Sequence, residues 1–100
     1  MAIRDAGCFP NPFHNQTNFT FFHNQQGQDL DVTVRIFTLE GRQVKTIRHT
    51  IKASGSRYVG ANWDGTNDAG SVLPPGIYIY GIMVKSNGKT QILGGKVILL

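Results

Sequence analysis

Apolar and polar positions alternate along much of this chain with a period of two. Between Thr17 and His23, Phe19 and Phe21 share one face with Thr17 and His23, while Asn18, Thr20 and Phe22 share the other. The alternation returns over Val32–Leu39, where Val32, Val34 and Ile36 point one way and Thr33, Arg35 and Phe37 the other. Side chains change face at every residue of a strand, so each run predicts a strand with one buried side. Gln43–Ile51 reads as the return strand, with Val44 and Ile47 as its core residues. Their odd spacing breaks strict alternation, and a bulge between them is expected to restore the register. Arg57–Trp63 predicts a strand carrying Tyr58 and Trp63. Ile77–Lys85 is apolar on both faces, with Tyr78, Tyr80, Ile82 and Val84 on one and Ile77, Ile79 and Met83 on the other. Such a strand is expected to be central, or to lie under a partner. Thr90–Leu99 is the last strand.

Turn chemistry separates these runs. Asn24–Gln28 is polar and contains Gly27, Glu40-Gly41-Arg42 supplies a tight turn, and Ala53-Ser54-Gly55-Ser56 breaks the chain. Asp64–Gly70 is a long turn rich in Asp, Asn and Gly. Ser86-Asn87-Gly88-Lys89 is a hairpin signal, because Asn-Gly tolerates the two positive φ angles of a type I′ turn. Met1–Gln16 reads as irregular, with Pro10 and Pro12 disfavouring helix, and a seventh strand is expected only near Cys8–Phe9. No helix-period segment with caps occurs. Short strands at regular spacing, joined by hairpins, predict an all-β fold: an antiparallel immunoglobulin-like or fibronectin III-like β-sandwich of about seven strands.

The chain has 100 residues, 40% of them hydrophobic and 16% charged, which suits a single domain with one modest core. Residues 9–100 are expected to form it, with 1–8 as a linker or an expression-derived leader. Met1–Gly7 reads like the middle of a longer chain and shows no signal peptide, so an excised domain is expected. No apolar run reaches membrane-spanning length. The net charge is +4, but Arg35, Arg42, Lys45, Arg48, Lys52, Arg57, Lys85, Lys89 and Lys96 are scattered. That pattern favours a solvated basic surface over a nucleic-acid groove. Cys8 is the single cysteine, so the domain does not rely on an internal disulfide.

Candidate chemistry is thin. His14, His23 and His49 lack partners at metal-ligand spacing. A Cys8–His14 thiolate–imidazole pair would lack an orienting third group, and no nucleophile elbow surrounds any serine. Asp64–Gly70 resembles a calcium loop superficially, yet Ala69 and Pro75 stand where an EF-hand needs Gly and Glu. Its aspartates are expected to lock the turn instead. Asn15-Gln16-Thr17 and Asn18-Phe19-Thr20 match the glycosylation sequon, a three-residue pattern that arises easily by chance. No catalytic, cofactor-binding or metal-ligating residue is assigned, and no enzymatic activity is expected of these residues.

The order of motifs is more distinctive than any site. Pro10-Asn11-Pro12-Phe13 precedes the first strand, and Val34-Arg35-Ile36-Phe37-Thr38-Leu39-Glu40-Gly41-Arg42 follows. Trp63-Asp64-Gly65-Thr66-Asn67-Asp68-Ala69-Gly70, Leu73-Pro74-Pro75-Gly76-Ile77-Tyr78 and Lys96-Val97-Ile98-Leu99-Leu100 come next. In this order the chain resembles the type A C-terminal sorting domains of the type IX (Por) secretion system of Bacteroidetes, relatives of the immunoglobulin-like domain of flagellar hook-capping proteins. Phe19–Gln25, Leu30–Phe37 and Val44–Ile47 further resemble the C-terminal domain of PorU-type sortases, gingipain-family peptidase relatives whose catalytic domain would lie upstream.

The resemblance implies a non-catalytic address that folds in the periplasm and is read by the secretion machinery, with an outer-membrane β-barrel docking protein as partner. It implies export to the outer membrane or cell surface. The scattered charge predicts no nucleic-acid partner, the short apolar runs predict no membrane span, and a monomer is expected though the sequence does not fix the oligomeric state. By family match, recognition falls to the last strands: Gly76, Tyr78, Tyr80, Lys89, Lys96, Val97, Ile98, Leu99 and Leu100. Lys96 matches the family's terminal basic residue, and no second one follows it. The backbone edge of the final strand is expected to stay available. Two alternatives remain: a structural spacer as in hook-capping proteins, and a carbohydrate-binding sandwich stacking sugars on Trp63, Tyr58, Tyr78 and Tyr80.

Overall fold

The alternating runs close into two sheets. The computed structural model describes residues 1–100, the side chain of Val59 excepted. It contains seven strands: β1 (Ile3–Phe9), β2 (Thr17–His23), β3 (Asp29–Phe37), β4 (Gln43–Lys52), β5 (Arg57–Trp63), β6 (Gly76–Ser86) and β7 (Lys89–Leu99). One antiparallel sheet has the order β1-β2-β5, the other β4-β3-β6-β7. The inward faces of β2 and β3 are those the alternation predicts, with Leu30 added because β3 begins at Asp29, ahead of the predicted Val32. Thr17, Phe19, Phe21 and His23 are buried on β2, and Leu30, Val32, Val34 and Ile36 on β3.

Aromatic rings join the sheets. Phe19 of β2 meets Tyr80 of β6 at 5.0 Å between centroids, and Trp63 of β5 meets Tyr78 of β6 edge-on at 5.5 Å. Phe13, from the segment after β1, packs on Trp63 at 5.4 Å. Offset and tilted pairs at these separations set the partial positive ring edge against the negative face. The Trp63 indole is held in turn, since its Nε1–H donates to the Thr66 carbonyl at 2.9 Å. On the opposite flank the Tyr58 hydroxyl and His49 Nδ1, from β5 and β4, lie 2.7 Å apart and bridge the sheets.

Four expectations need correction. Residues 1–8 do not form a linker: Ile3–Phe9 is a full strand, and Ile3 belongs to the core. The strand pairs with β2 through a bulge between Arg4 and Gly7, which breaks its alternation. Val44 and Ile47 are only half-buried, because β4 is an edge strand and they pack against the rim of the core. The bulge lies at Val44 itself, since Ile36 faces Lys45 and Phe37 faces Gln43. Finally, β6 is central in its sheet but buried on one face only. Ile77 is 43% exposed, and Ile79 and Met83 are half-buried at the surface. The hairpin turn is as expected, with φ of 51° at Asn87 and 74° at Gly88.

Phe13 is the residue through which a loop enters the core. Phe13→Ala is expected to cost about 3–5 kcal/mol in urea unfolding. Phe9→Ala, at a side chain 75% exposed, is expected to stay within about 0.5 kcal/mol. Similar effects of the two substitutions would contradict this packing.

Candidate docking surface

An edge strand presents a row of unpaired N–H and C=O groups unless something covers it. In this sandwich the two edges of the larger sheet are covered in part. Along the C-terminal half of β7, the Phe13 N–H donates to the Ile98 carbonyl at 3.0 Å and the Leu100 N–H donates to the Phe13 carbonyl at 2.9 Å. Asn11 completes the clasp. Its Oδ1 accepts from the Ile98 N–H at 2.9 Å, and its Nδ2 donates to the Lys96 carbonyl at 3.1 Å. At the other edge, the Asp68 N–H donates to the Val44 carbonyl at 3.0 Å, and Asp68 Oδ1 accepts from the Thr46 N–H at 3.1 Å. A carboxamide joins the sheets at the N-terminal half of β7. Gln91 Oε1 accepts from the Ile3 N–H at 3.0 Å, and its Nε2 donates to the Ile3 carbonyl at 2.9 Å.

The nine recognition residues fall into two groups against this background. Tyr78, Tyr80, Val97 and Leu99 are core residues with at most 6% of their surface exposed, so they are corrected from contact residues to packing residues. The Tyr78 hydroxyl is also occupied, donating to the Pro74 carbonyl at 2.6 Å. Gly95 leaves room for the Tyr80 ring, whose hydroxyl would lie 2.6 Å from an added Cβ. Lys89, Lys96 and Leu100 are exposed, and Gly76 and Ile98 are half-buried. The backbone edge of Lys96–Leu100 is not available, because Asn11 and Phe13 occupy it. Asn11 and Gln91 carry this arrangement, and sequence reasoning missed both. Their partners lie 85 or more positions away, and an isolated amide gives no local signal.

The outward faces of the two sheets differ. On the smaller sheet, Asn62 Nδ2 lies 3.0 Å from Asn18 Oδ1 and 3.2 Å from Gln16 Oε1, a wet amide ladder. On the larger sheet, Phe37, Ile79, Met83 and Ile92 stand among Arg35, Lys85 and Lys96.

The remaining candidates are structural. Trp63, Tyr58, Tyr78 and Tyr80 are all buried, so they offer no platform to a sugar. Burial raises the pKa of the Cys8 thiol, which disfavours a thiolate, and His14 lies in an exposed loop. Asp64 Oδ1 accepts from the Thr66 hydroxyl at 2.6 Å and its N–H at 3.2 Å, bonds that hold its carboxyl below the usual range. Asn67 Oδ1 accepts from the N–H groups of Ala69 and Ser71, both at 3.0 Å. The loop oxygens therefore serve the turn.

A three-on-four antiparallel sandwich with an aromatic core and a clasped last strand defines an immunoglobulin-like domain. The FlgD Ig-like domain family model matches residues 11–89, and the chain belongs to that family. Among solved structures, the chain is similar to dimeric latent PorU from Porphyromonas gingivalis, with 30% identity and a TM-score of 0.83. That match covers 100% of this chain and 10% of the PorU chain. A second match is PorZ, an essential surface component of the type IX secretion system of the same bacterium, at 16% identity and a TM-score of 0.42, covering 95% of this chain and 11% of that one. No match was found among curated proteins.

The clasp is expected to act locally. Asn11→Ala should cost about 1–2 kcal/mol and speed amide exchange at Ile98 before it does so at Val34. Uniform acceleration across both sheets would contradict a local role. A second expectation concerns acidification. Burial holds the His23 imidazole below its usual pKa, and its Nδ1 accepts from the Gln25 N–H at 3.1 Å. The unfolded chain therefore takes up the proton first, so this contribution to stability is present above about pH 6.5 and is lost as pH falls through the folded value. Thermal midpoints measured on either side of that range should decline on acidification, and His23→Gln should flatten the decline. An unchanged slope in the variant would contradict the assignment.

Proposed function

We propose that this domain is a non-catalytic export and docking module of a larger type IX-secreted protein, equivalent to the C-terminal domain of a PorU-type sortase. The observation that carries the reading is the likeness to PorU over the whole chain at a TM-score of 0.83. The order of motifs from Pro10 to Leu100 supports the same reading. The chain spans about a tenth of the length of that relative, and on this reading the peptidase chemistry of the parent protein lies outside these residues. The partners are the secretion machinery and an outer-membrane β-barrel protein, and the destination is the cell surface. Recognition uses the exposed members of the terminal set, Lys89, Lys96 and Leu100, with Gly76 and Ile98 at its margin. The family match over residues 11–89 favours a second reading, an assembly module of the hook-capping kind with no sorting role.

A reporter fused ahead of residues 1–100 in a type IX-competent cell is expected to reach the surface or the medium. Retention in the periplasm would count against the proposal. Removing Lys96–Leu100 is a poor second test, because it also deletes the buried Val97 and Leu99. The double variant Lys89→Glu, Lys96→Glu changes only exposed side chains and should lower export several-fold with an unchanged thermal midpoint. Wild-type export by that variant would favour the assembly reading.

A further inference from the structure

The outward face of β4-β3-β6-β7 contains a gap that packing within the domain does not explain. Directly paired residues of an antiparallel sheet point to the same face. The register therefore sets three ranks across the middle: Arg48–Thr33–Met83–Ile92, Thr46–Arg35–Gly81–Gly94 and Phe37–Ile79–Lys96. Gly81 and Gly94 stand side by side in the middle rank. A hollow of about 180 Å³ opens there, lined by Arg35, Phe37, Gly81, Met83 and Ile92. Ile92, on its wall, is 65% exposed.

Glycine inside a strand loses backbone entropy on folding and gives its neighbours nothing to pack on. It usually marks a bulge, a bend or the close approach of another group. Gly81 is at no bulge, since β6 and β7 pair without a shift from Gly76–Leu99 to Ser86–Lys89. Its φ is not left-handed, and an added Cβ would meet nothing within 4 Å. The other two central glycines have local reasons. A Cβ on Gly94 would crowd the Tyr80 carbonyl at 3.1 Å, and one on Gly95 would overlap the Tyr80 ring. Gly81 alone leaves space that this domain does not fill.

A free strand edge borders the hollow. Ile98 sends both backbone groups outward to Asn11 and Phe13, and the period of two sends those of Thr90, Ile92 and Gly94 the same way. None of these three has a partner among the described residues. The three ranks carry Arg48, Arg35 and Lys96 and no carboxylate. A second copy of this face would set like charges together, whereas an acidic segment would complement them. We propose that an extended segment of an acidic partner protein pairs with β7 along Thr90–Gly94. One large apolar side chain passes over the bare Gly94 into the hollow at Gly81, and flanking carboxylates meet Arg35 and Lys96. This rests on the docking reading above and shares Lys96 with its terminal set, but its apolar contact at Gly81, Ile92 and Gly94 lies outside that set.

The test is fluorescence anisotropy of the full chain with a short labelled peptide. The peptide has one central Phe and Glu at the alternate positions around it, and its control has Lys for each Glu. The Glu peptide is expected to bind at least tenfold more tightly, to weaken with added salt, and to shift the amides of Thr90, Ile92 and Gly94. Gly81→Leu should weaken binding at least tenfold without lowering the thermal midpoint, because the space for its Cβ is open. Ile92→Glu, at an exposed position, is the second variant should Gly81→Leu lose the fold. Equal binding of the two peptides, no binding, or wild-type binding by Ile92→Glu would overturn the proposal. So would concentration-dependent dimers in sedimentation that are abolished by Gly81→Leu, since the face would then serve a second copy. Peptide binding with failed export would overturn the export reading alone, and export without peptide binding would overturn this one alone.

Discussion

The structure depends on the burial of aromatic rings between two sheets that share no backbone ladder. The strands of each sheet pair among themselves, so side chains make the contact between the sheets, supplemented by backbone bonds where Phe13 meets β7 and Asp68 meets β4. Phe19–Tyr80 and Trp63–Tyr78 supply the direct contacts, and Phe13 enters from a loop to close one end. With no disulfide available to Cys8, removal of apolar surface from water carries the cohesion. Tyr58 shows the same burial electrostatically: its hydroxyl pKa is pushed up to about 12, so it stays protonated beside His49.

Because the inward faces are committed to this contact, what a partner can read is limited to edges and outward faces. The domain treats its edges unequally. Asn11 and Phe13 cover the end of β7, Asp68 covers the start of β4, Gln91 reaches across to Ile3, and the outward backbone groups of Thr90, Ile92 and Gly94 have no partner among the described residues. It treats its outward faces unequally too, with amides on the smaller sheet and an apolar centre ringed by cations on the larger. Under the proposed docking role such asymmetry matters, since a uniformly covered sandwich would offer nothing to distinguish one side from another.

Much of this was legible in the sequence, for a physical reason. β2 and β3 have one dry and one wet face, so alternation identifies their inward residues, except Leu30, which lies ahead of the predicted start of β3. The Asn87-Gly88 turn was legible because few residue pairs tolerate two positive φ angles. β1 was read as linker because Ile3 is its only fully buried side chain and a bulge disrupts its period. Val44 and Ile47 were placed too deep, since apolar identity does not reveal that a strand lies at an edge. Tyr78, Tyr80, Val97 and Leu99 were assigned to recognition by family position, and inward alternation assigns them to the core. The clasp by Asn11 and the bracket by Gln91 were invisible, because both are products of topology. Gly81 carried a readable signal, a glycine amid β-formers, but its meaning required knowing which atoms surround it.

The bracket between Gln91 and Ile3 joins positions 88 apart, and the Asn11–Ile98 contact spans 87. Closing such long loops is entropically slow, and the ordering cost comes before the contacts reward it. During synthesis the bracket and the clasp therefore wait for the last strand. Until β7 has emerged, Phe13, Asn11 and Ile3 lack the partners on that strand that hold them in the folded domain. The domain matures as a unit only after translation has passed through β7, because contacts at both ends of the sandwich are completed by that strand.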